Sequence, residues 1–115
     1  MAEDCVFCKI AAGEIPVKAV YENDEIIAFP DINPQAPVHL LVIPRKHYAD
    51  VTEATGADSG LIGRLFTTLT RVASEQDLVP EGFRIVVNTG PKGGQTVRHL
   101  HFHLLGGRFM GWPPG

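Results

Sequence analysis

The stretch His99-Leu100-His101-Phe102-His103-Leu104-Leu105 sets three histidines in alternation with apolar residues, close to the end of the chain. In a β-strand successive side chains point to opposite faces. The spacing therefore predicts a strand over Arg98 to Leu105 with all three imidazoles on one face and Leu100, Phe102 and Leu104 on the other. One face packs; the other is free for chemistry. The chain holds five histidines in all. One histidine in an apolar strand is ordinarily a satisfied core residue, but three at every second position are not explained by packing.

Outward from that strand the elements alternate in a simple order. Phe83 to Asn88 reads as a strand, joined to the histidine strand by Thr89-Gly90-Pro91-Lys92-Gly93-Gly94-Gln95-Thr96. The glycines of that loop allow backbone N–H groups to approach a ligand closely, or simply make a wide turn. Upstream, an apolar stripe of Leu61, Ile62, Leu65, Phe66, Leu69, Val72 and Ala73 predicts one long helix, with Asp58 or Ser59 as its N-cap. Val38-His39-Leu40-Leu41-Val42-Ile43 reads as a buried strand that stops at Pro44. The runs Val17 to Glu22 and Ile26 to Phe29 flank the turn pair Asn23-Asp24 and predict a hairpin. A short helix is expected from Val6 to about Ala12, stopped by Gly13 and Pro16. The sum is an α+β domain over residues 1–115: a mainly antiparallel five-stranded sheet, one long helix and a short N-terminal helix.

Composition narrows the function classes. With 115 residues and 44% hydrophobic content the chain suits one compact domain, small enough that an added partner surface would help it bury apolar area. A net charge of −3 and a pI near 5.9 offer no broad basic footprint, which argues against polymeric nucleic acid but not against single nucleotides. The start, Met1-Ala2-Glu3-Asp4, is acidic with no apolar run behind it, and no membrane-spanning stretch occurs, so a soluble cytoplasmic protein is expected. Two cysteines, arranged as Cys5-Val6-Phe7-Cys8, are too few for a disulfide framework and suit a reducing compartment.

Taken together these residues resemble the histidine triad (HIT) superfamily, whose signature of three histidines alternating with apolar positions is met from His99 to Leu105 without exception. The likeness runs through Cys5-Val6-Phe7-Cys8-Lys9-Ile10, Gly13-Glu14-Ile15-Pro16, Phe29 with Asp31-Ile32, Ala36-Pro37-Val38-His39, Val42-Ile43-Pro44-Arg45-Lys46-His47, and Asn88 with Gly93-Gly94-Gln95-Thr96-Val97. The tail from Gly106 to Gly115 looks like that of the Hint branch, the nucleoside phosphoramidases. One departure is Thr96, where that branch usually carries Ser and where the dinucleoside polyphosphate hydrolases also have Thr. The hydroxyl is kept.

The resemblance implies a hydrolase acting on purine nucleoside 5′-phosphoramidates, such as AMP joined to a small amine or an aminoacyl group. A neutral imidazole is a good nucleophile near pH 7. His101 is the expected nucleophile, forming a nucleotidyl-histidine intermediate that water cleaves. By the same likeness His103 meets the phosphate and leaving group, and His39 completes the polar wall of the site. Asn88, Gly94, Gln95, Thr96 and Val97 are expected around the phosphate, Asp31 at the ribose hydroxyls, and Phe29 and Ile32 at the base. Apolar contact with a base discriminates weakly, so selectivity among purines should be loose. A homodimer is implied, with the tail carrying Trp112 reaching the other site. Asp31 could equally cap a turn, Phe29 and Ile32 belong to the core, and Asn88 serve turn geometry.

Cys-x-x-Cys brings two thiolates within chelating distance, and tetrahedral zinc wants two more nitrogen or sulfur ligands, which His47 and His99 can supply. In several members of the superfamily these positions hold a structural zinc, so zinc bound by Cys5, Cys8, His47 and His99 is expected, with no catalytic metal required. A redox Cys-x-x-Cys, a pair of ordinary buried thiols, and a catalytic zinc on His99, His101 and His103 are the rival readings. At the level of function the rivals are dinucleoside polyphosphate hydrolysis and a nucleotide-binding interaction protein with incidental turnover.

Overall fold

The computed structural model describes residues 4–115, so the acidic start at Met1, Ala2 and Glu3 lies outside the described residues. A short helix, α1 (Val6–Ala11), is followed by strands β1 (Tyr21–Glu22), β2 (Ile26–Pro30) and β3 (Val38–Pro44). Helices α2 (Val51–Ala57) and α3 (Ser59–Glu75) come next, then β4 (Phe83–Val87) and β5 (Phe102–Gly106). The five strands form one antiparallel sheet in the order β1-β2-β3-β5-β4. This is the α+β architecture expected from the sequence.

Alternation along the strands gives the sheet two distinct faces. Ile26, Ala28, Leu40, Val42, Phe102 and Leu104 pack with Leu61, Leu65, Leu69 and Val72 of α3 in the main core. Ile27, Phe29, Leu41 and Ile43 point the other way and pack against Phe7 and Ile10 of α1 in a smaller cluster. Fully burying each of these larger side chains contributes about 1.5–3 kcal/mol, so α3 anchors the sheet and α1 covers only part of its other face. The part left uncovered holds the site. No helix among the described residues is long and apolar enough to cross a membrane.

Several element boundaries differ from expectation, each for a local reason. The long helix starts where predicted, with the Asp58 side chain accepting from the Leu61 N–H. Phe66, however, sits at the edge of its stripe, 43% exposed while its ring meets Phe102 edge-on. The first hairpin is shorter: only Tyr21 and Glu22 pair with β2, although Val20 N–H still reaches the Ala28 carbonyl. Its turn is held as expected by the Asn23 carboxamide oxygen, which accepts from the N–H groups of Glu25 and Ile26.

Helix α2 was not anticipated. It has one buried residue, Ala54, and carries two threonines and a glycine, so it lacks both an apolar stripe and high propensity. Its start is nonetheless capped at both ends of a reciprocal pair, with Asp50 accepting from Glu53 N–H and Glu53 accepting from Ala49 N–H. Finally, β5 begins at Phe102 rather than Arg98. Phe102 pairs with Val42 and Val87, and two steps further on the β3 side stands Pro44, which has no N–H for a ladder. Leu100 N–H turns instead to the Tyr48 carbonyl. Only His103 of the three histidines therefore lies in the paired strand, yet the alternation persists: Leu100, Phe102 and Leu104 are in the main core, and the histidines are on the far side.

Candidate active site and metal cluster

The orientation of each histidine follows from the carbonyl that holds it. His101 is buried, and its Nδ1 lies 2.8 Å from the backbone carbonyl of His99. A carbonyl only accepts, so Nδ1 carries the proton and Nε2 keeps its lone pair. The ring is braced by Phe7, whose centroid is 5.1 Å away at 75°. His39, also buried, accepts at Nδ1 from Gln35 N–H at 3.0 Å. Its Nε2 therefore bears the proton and points at His103 Nδ1, 2.9 Å away, with Asp31 Oδ2 at 3.4 Å. His103 accepts at Nδ1 and is left with a proton on Nε2. The three rings thus present one free lone pair and one N–H.

Burial holds these rings neutral. It lowers the pKa of His39 against the opposing pull of Asp31, and it lowers His101 in the same sense. For His103, burial together with His101 and His39 brings it down to about 4. None needs a base to be deprotonated near pH 7.

His101 and His103 line a cavity of about 380 Å³ whose walls include Phe7, Val17, Phe29, Asp31, Ile32, Leu41, Thr96 and Val97. Its size and largely apolar lining with a few polar groups suit a small organic ligand. Asp31 serves two purposes: Oδ1 accepts from Asn33 N–H in the turn while Oδ2 faces His39. Ile32 is 99% exposed at the rim, and Phe29 is buried beneath it. His103 also lines a second cavity of about 230 Å³, with His39, Asn88 and Arg84.

The remaining expected residues are placed differently. Gln95 carries no free amide: Nε2 donates to the Ala49 and Val97 carbonyls at 2.7 and 2.9 Å, and Oε1 accepts from Gly90 N–H at 3.0 Å. It ties the glycine loop to the chain ahead of α2. Gly94 has φ +80°, a conformation glycine adopts without strain, and Asn88 Nδ2 braces the same loop through the Gly93 carbonyl at 2.7 Å. Trp112 is 84% exposed and does not line the main cavity of its own chain. Phe7 was missed as a site residue; its position inside Cys-x-x-Cys, on a helix facing the sheet, is the signal that could have found it.

Beside the cavity Cys5, Cys8, His47 and His99 bring four donor atoms within 4.8 Å of one another. Cys5 Sγ and Cys8 Sγ lie 3.3 and 3.5 Å from His99 Nδ1, Cys8 Sγ is 3.3 Å from His47 Nδ1, and the two Nδ1 atoms are 3.2 Å apart. Ligands about 2.0–2.3 Å from a tetrahedral zinc are separated by roughly 3.3–3.8 Å, so the donors fit such an ion. His99 Nε2 donates to the Pro44 carbonyl at 2.8 Å, which leaves Nδ1 free toward the thiols. Burial and the neighbouring Cys5 push the Cys8 thiol up to about 11. His99 and His101 turn their available nitrogens to different places, so the three histidines do not converge as one ligand set.

The HIT domain model matches residues 12–110. The chain belongs to the HIT domain family. Among HIT relatives, a 14 kDa zinc-binding protein of Brassica juncea is 49% identical over 114 residues, covering 97% of this chain and 100% of the relative. Adenylylsulfatase HINT1 of Arabidopsis thaliana is 48% identical over 112 residues, 96% of this chain and 76% of that protein. The crystal structure of a HIT family hydrolase from Legionella pneumophila superposes with a TM-score of 0.93 at 50% identity, covering 96% of this chain and 99% of that one. This HIT domain is therefore close to Hint-like proteins and to HIT family hydrolases.

Proposed function

We propose that the protein hydrolyses purine nucleoside 5′-phosphoramidates, releasing an AMP-type nucleotide and an amine. The observation that carries this reading is the tautomer pair: His101 with a free Nε2 lone pair, beside His103 with a proton on Nε2, in one cavity. His101 Nε2 attacks phosphorus, and the bond to the leaving nitrogen breaks with its electron pair. The leaving amine takes its proton from a water that His103 Nε2–H hydrogen-bonds and orients. The hydroxide so formed attacks phosphorus, the bond to His101 breaks, and the nucleotide leaves with His101 again neutral. Splitting one displacement into two lets His101 serve as nucleophile and then leaving group while His103 stays neutral. Backbone and side-chain donors at Asn88, Thr96 and Val97 stabilise the phosphate oxygens as charge shifts onto them. Asp31 accepts from the ribose, and Phe29 and Ile32 flank the base.

Cys5, Cys8, His47 and His99 hold a structural zinc in this reading, which ties α1 to the sheet; the fitting donor distances and the zinc-binding relative support it. The working unit is a homodimer in which the tail with Trp112 reaches the site of a second copy. The exposed Phe66, Phe109 and Trp112 are apolar surface such a contact would cover.

The test is hydrolysis of adenosine 5′-phosphoramidate by the wild type and by His101→Ala, both in chelator. Turnover by the wild type that is lost in the variant is expected. No wild-type turnover, or activity kept without His101, overturns the mechanism.

A further inference from the structure

The second cavity, on the far side of His103 from the nucleoside pocket, differs from the first in charge. It is lined by His39, Asn88, Arg84, Arg108 and the tail residues Met110 and Pro114, with no carboxylate in its wall. Asp31 lines only the first. In a chain of net charge −3 this is a local positive site.

The sheet register builds it. Arg84 pairs with Leu105, and Leu105 with His39, so the three stand in one cross-strand row; Val86, His103 and Leu41 form the next. Partners in a row point to the same face, so Arg84 shares the histidine face, with its backbone about 10 Å from that of His39. The two guanidiniums also anchor the tail over this row. Arg84 donates to the Gly111 carbonyl at 2.7 Å, and Arg108 to the Gln35 and Phe109 carbonyls, both at 3.0 Å. Among the described residues Arg45, Arg64, Arg71 and Arg98 each pair with a carboxylate, whereas Arg84 and Arg108 do not. Each keeps unused N–H donors, and a guanidinium fork suits a carboxylate or sulfate.

In-line displacement puts the leaving group on the opposite side of phosphorus from His101, toward His103 and this cavity. We infer that the cavity is a leaving-group subsite for an anion, with Arg84 and Arg108 selecting substrates whose leaving group carries a carboxylate or is itself a sulfate. This rests on the phosphoramidase reading for its orientation. A relative named adenylylsulfatase is consistent with the sulfate arm.

The experiment compares AMP joined through nitrogen to phenethylamine with AMP joined to phenylalanine, which differ by one carboxylate, and adds adenylyl sulfate as a third substrate. The wild type is expected to favour the phenylalanine conjugate. Arg84→Gln should reduce that ratio of kcat/KM about tenfold, Arg84→Lys should restore most of it, and Arg108→Gln should act in the same direction. Calorimetric binding of both conjugates to His101→Asn, which does not turn them over, reads the same preference without chemistry. No turnover by the wild type would defeat the phosphoramidase reading, while the binding ratio would still report on the subsite. Equal binding of the two conjugates, or a ratio unmoved by Arg84→Gln, together with adenylyl sulfate turnover that Arg84→Gln and Arg108→Gln leave unchanged, overturns the subsite. A response confined to the phenylalanine conjugate assigns it to pendant carboxylates, and one confined to adenylyl sulfate assigns it to sulfate.

Discussion

His99 and His101 are two residues apart, are both buried and face the same side of the sheet, yet they belong to different chemistry. His99 gives its Nε2 proton to the Pro44 carbonyl and turns Nδ1 toward Cys5, Cys8 and His47. His101 gives its Nδ1 proton to the His99 carbonyl and keeps Nε2 for the cavity. The residue type is the same; the acceptor decides which nitrogen is available. A histidine's function is thus set as much by the backbone oxygen behind it as by its place in the motif.

The sharpest way to break this contrast is to remove one ring at a time. His101→Ala should lower phosphoramidate hydrolysis by at least about a thousandfold while leaving the metal content of the purified protein unchanged. Cys8→Ala should do the reverse, abolishing stoichiometric zinc and lowering Tm by at least about 5 °C while retaining much of the activity. Metal analysis, calorimetry and a rate assay on both variants separate the two regions. A zinc-free wild type with unchanged Tm in Cys8→Ala would remove the metal cluster's role in stability.

A smaller effect is expected at Gln95, which touches neither region directly. Its three hydrogen bonds hold the glycine loop that carries Thr96 and Val97 into the cavity. Gln95→Ala should reduce kcat/KM about tenfold through misplaced phosphate donors, with zinc content unchanged. An unaltered rate would mean that the loop holds its shape without the carboxamide.

The sequence was informative where periodicity coincides with burial. Leu61, Leu65, Leu69 and Val72 announce α3, Val38 to Pro44 announce β3, and the histidine alternation sorts side chains to two faces even where the strand is not paired. It was less informative where structure depends on single hydrogen bonds. Helix α2 is set by the reciprocal Asp50 and Glu53 caps with one buried alanine, which no apolar stripe reveals. The meeting of Cys5 and Cys8 with His47 and His99 was readable from ligand type and the family likeness, but the tautomers were not: Gln35 fixes His39, which sets His103 from 64 residues away, and the Pro44 carbonyl that fixes His99 is 55 residues from it. Gln95 shows the same limit: its place in the glycine loop pointed to a ligand, and its partner Ala49 is 46 residues away.

The finest distinction between the regions is in how the fold responds to acid. His103 is held neutral by burial and by the neighbouring rings, with its pKa down to about 4, against about 6.5 for an unfolded histidine. Below pH 6.5 the unfolded chain therefore binds a proton at this position that the folded chain refuses. Stability contributed by the neutral ring is complete above pH 6.5 and is lost as pH falls toward 4, where the folded state also takes the proton and the slope ends. His103→Asn removes this group from both states. Its Tm should decline less steeply than that of the wild type between pH 6.5 and 4, with the two curves parallel above pH 7. Parallel curves throughout would mean that His103 is protonated as readily in the folded protein as in the unfolded one. The His103 Nε2–H that faces the cavity would then belong to an imidazolium, and the Gln35, His39, His103 chain would not set its tautomer.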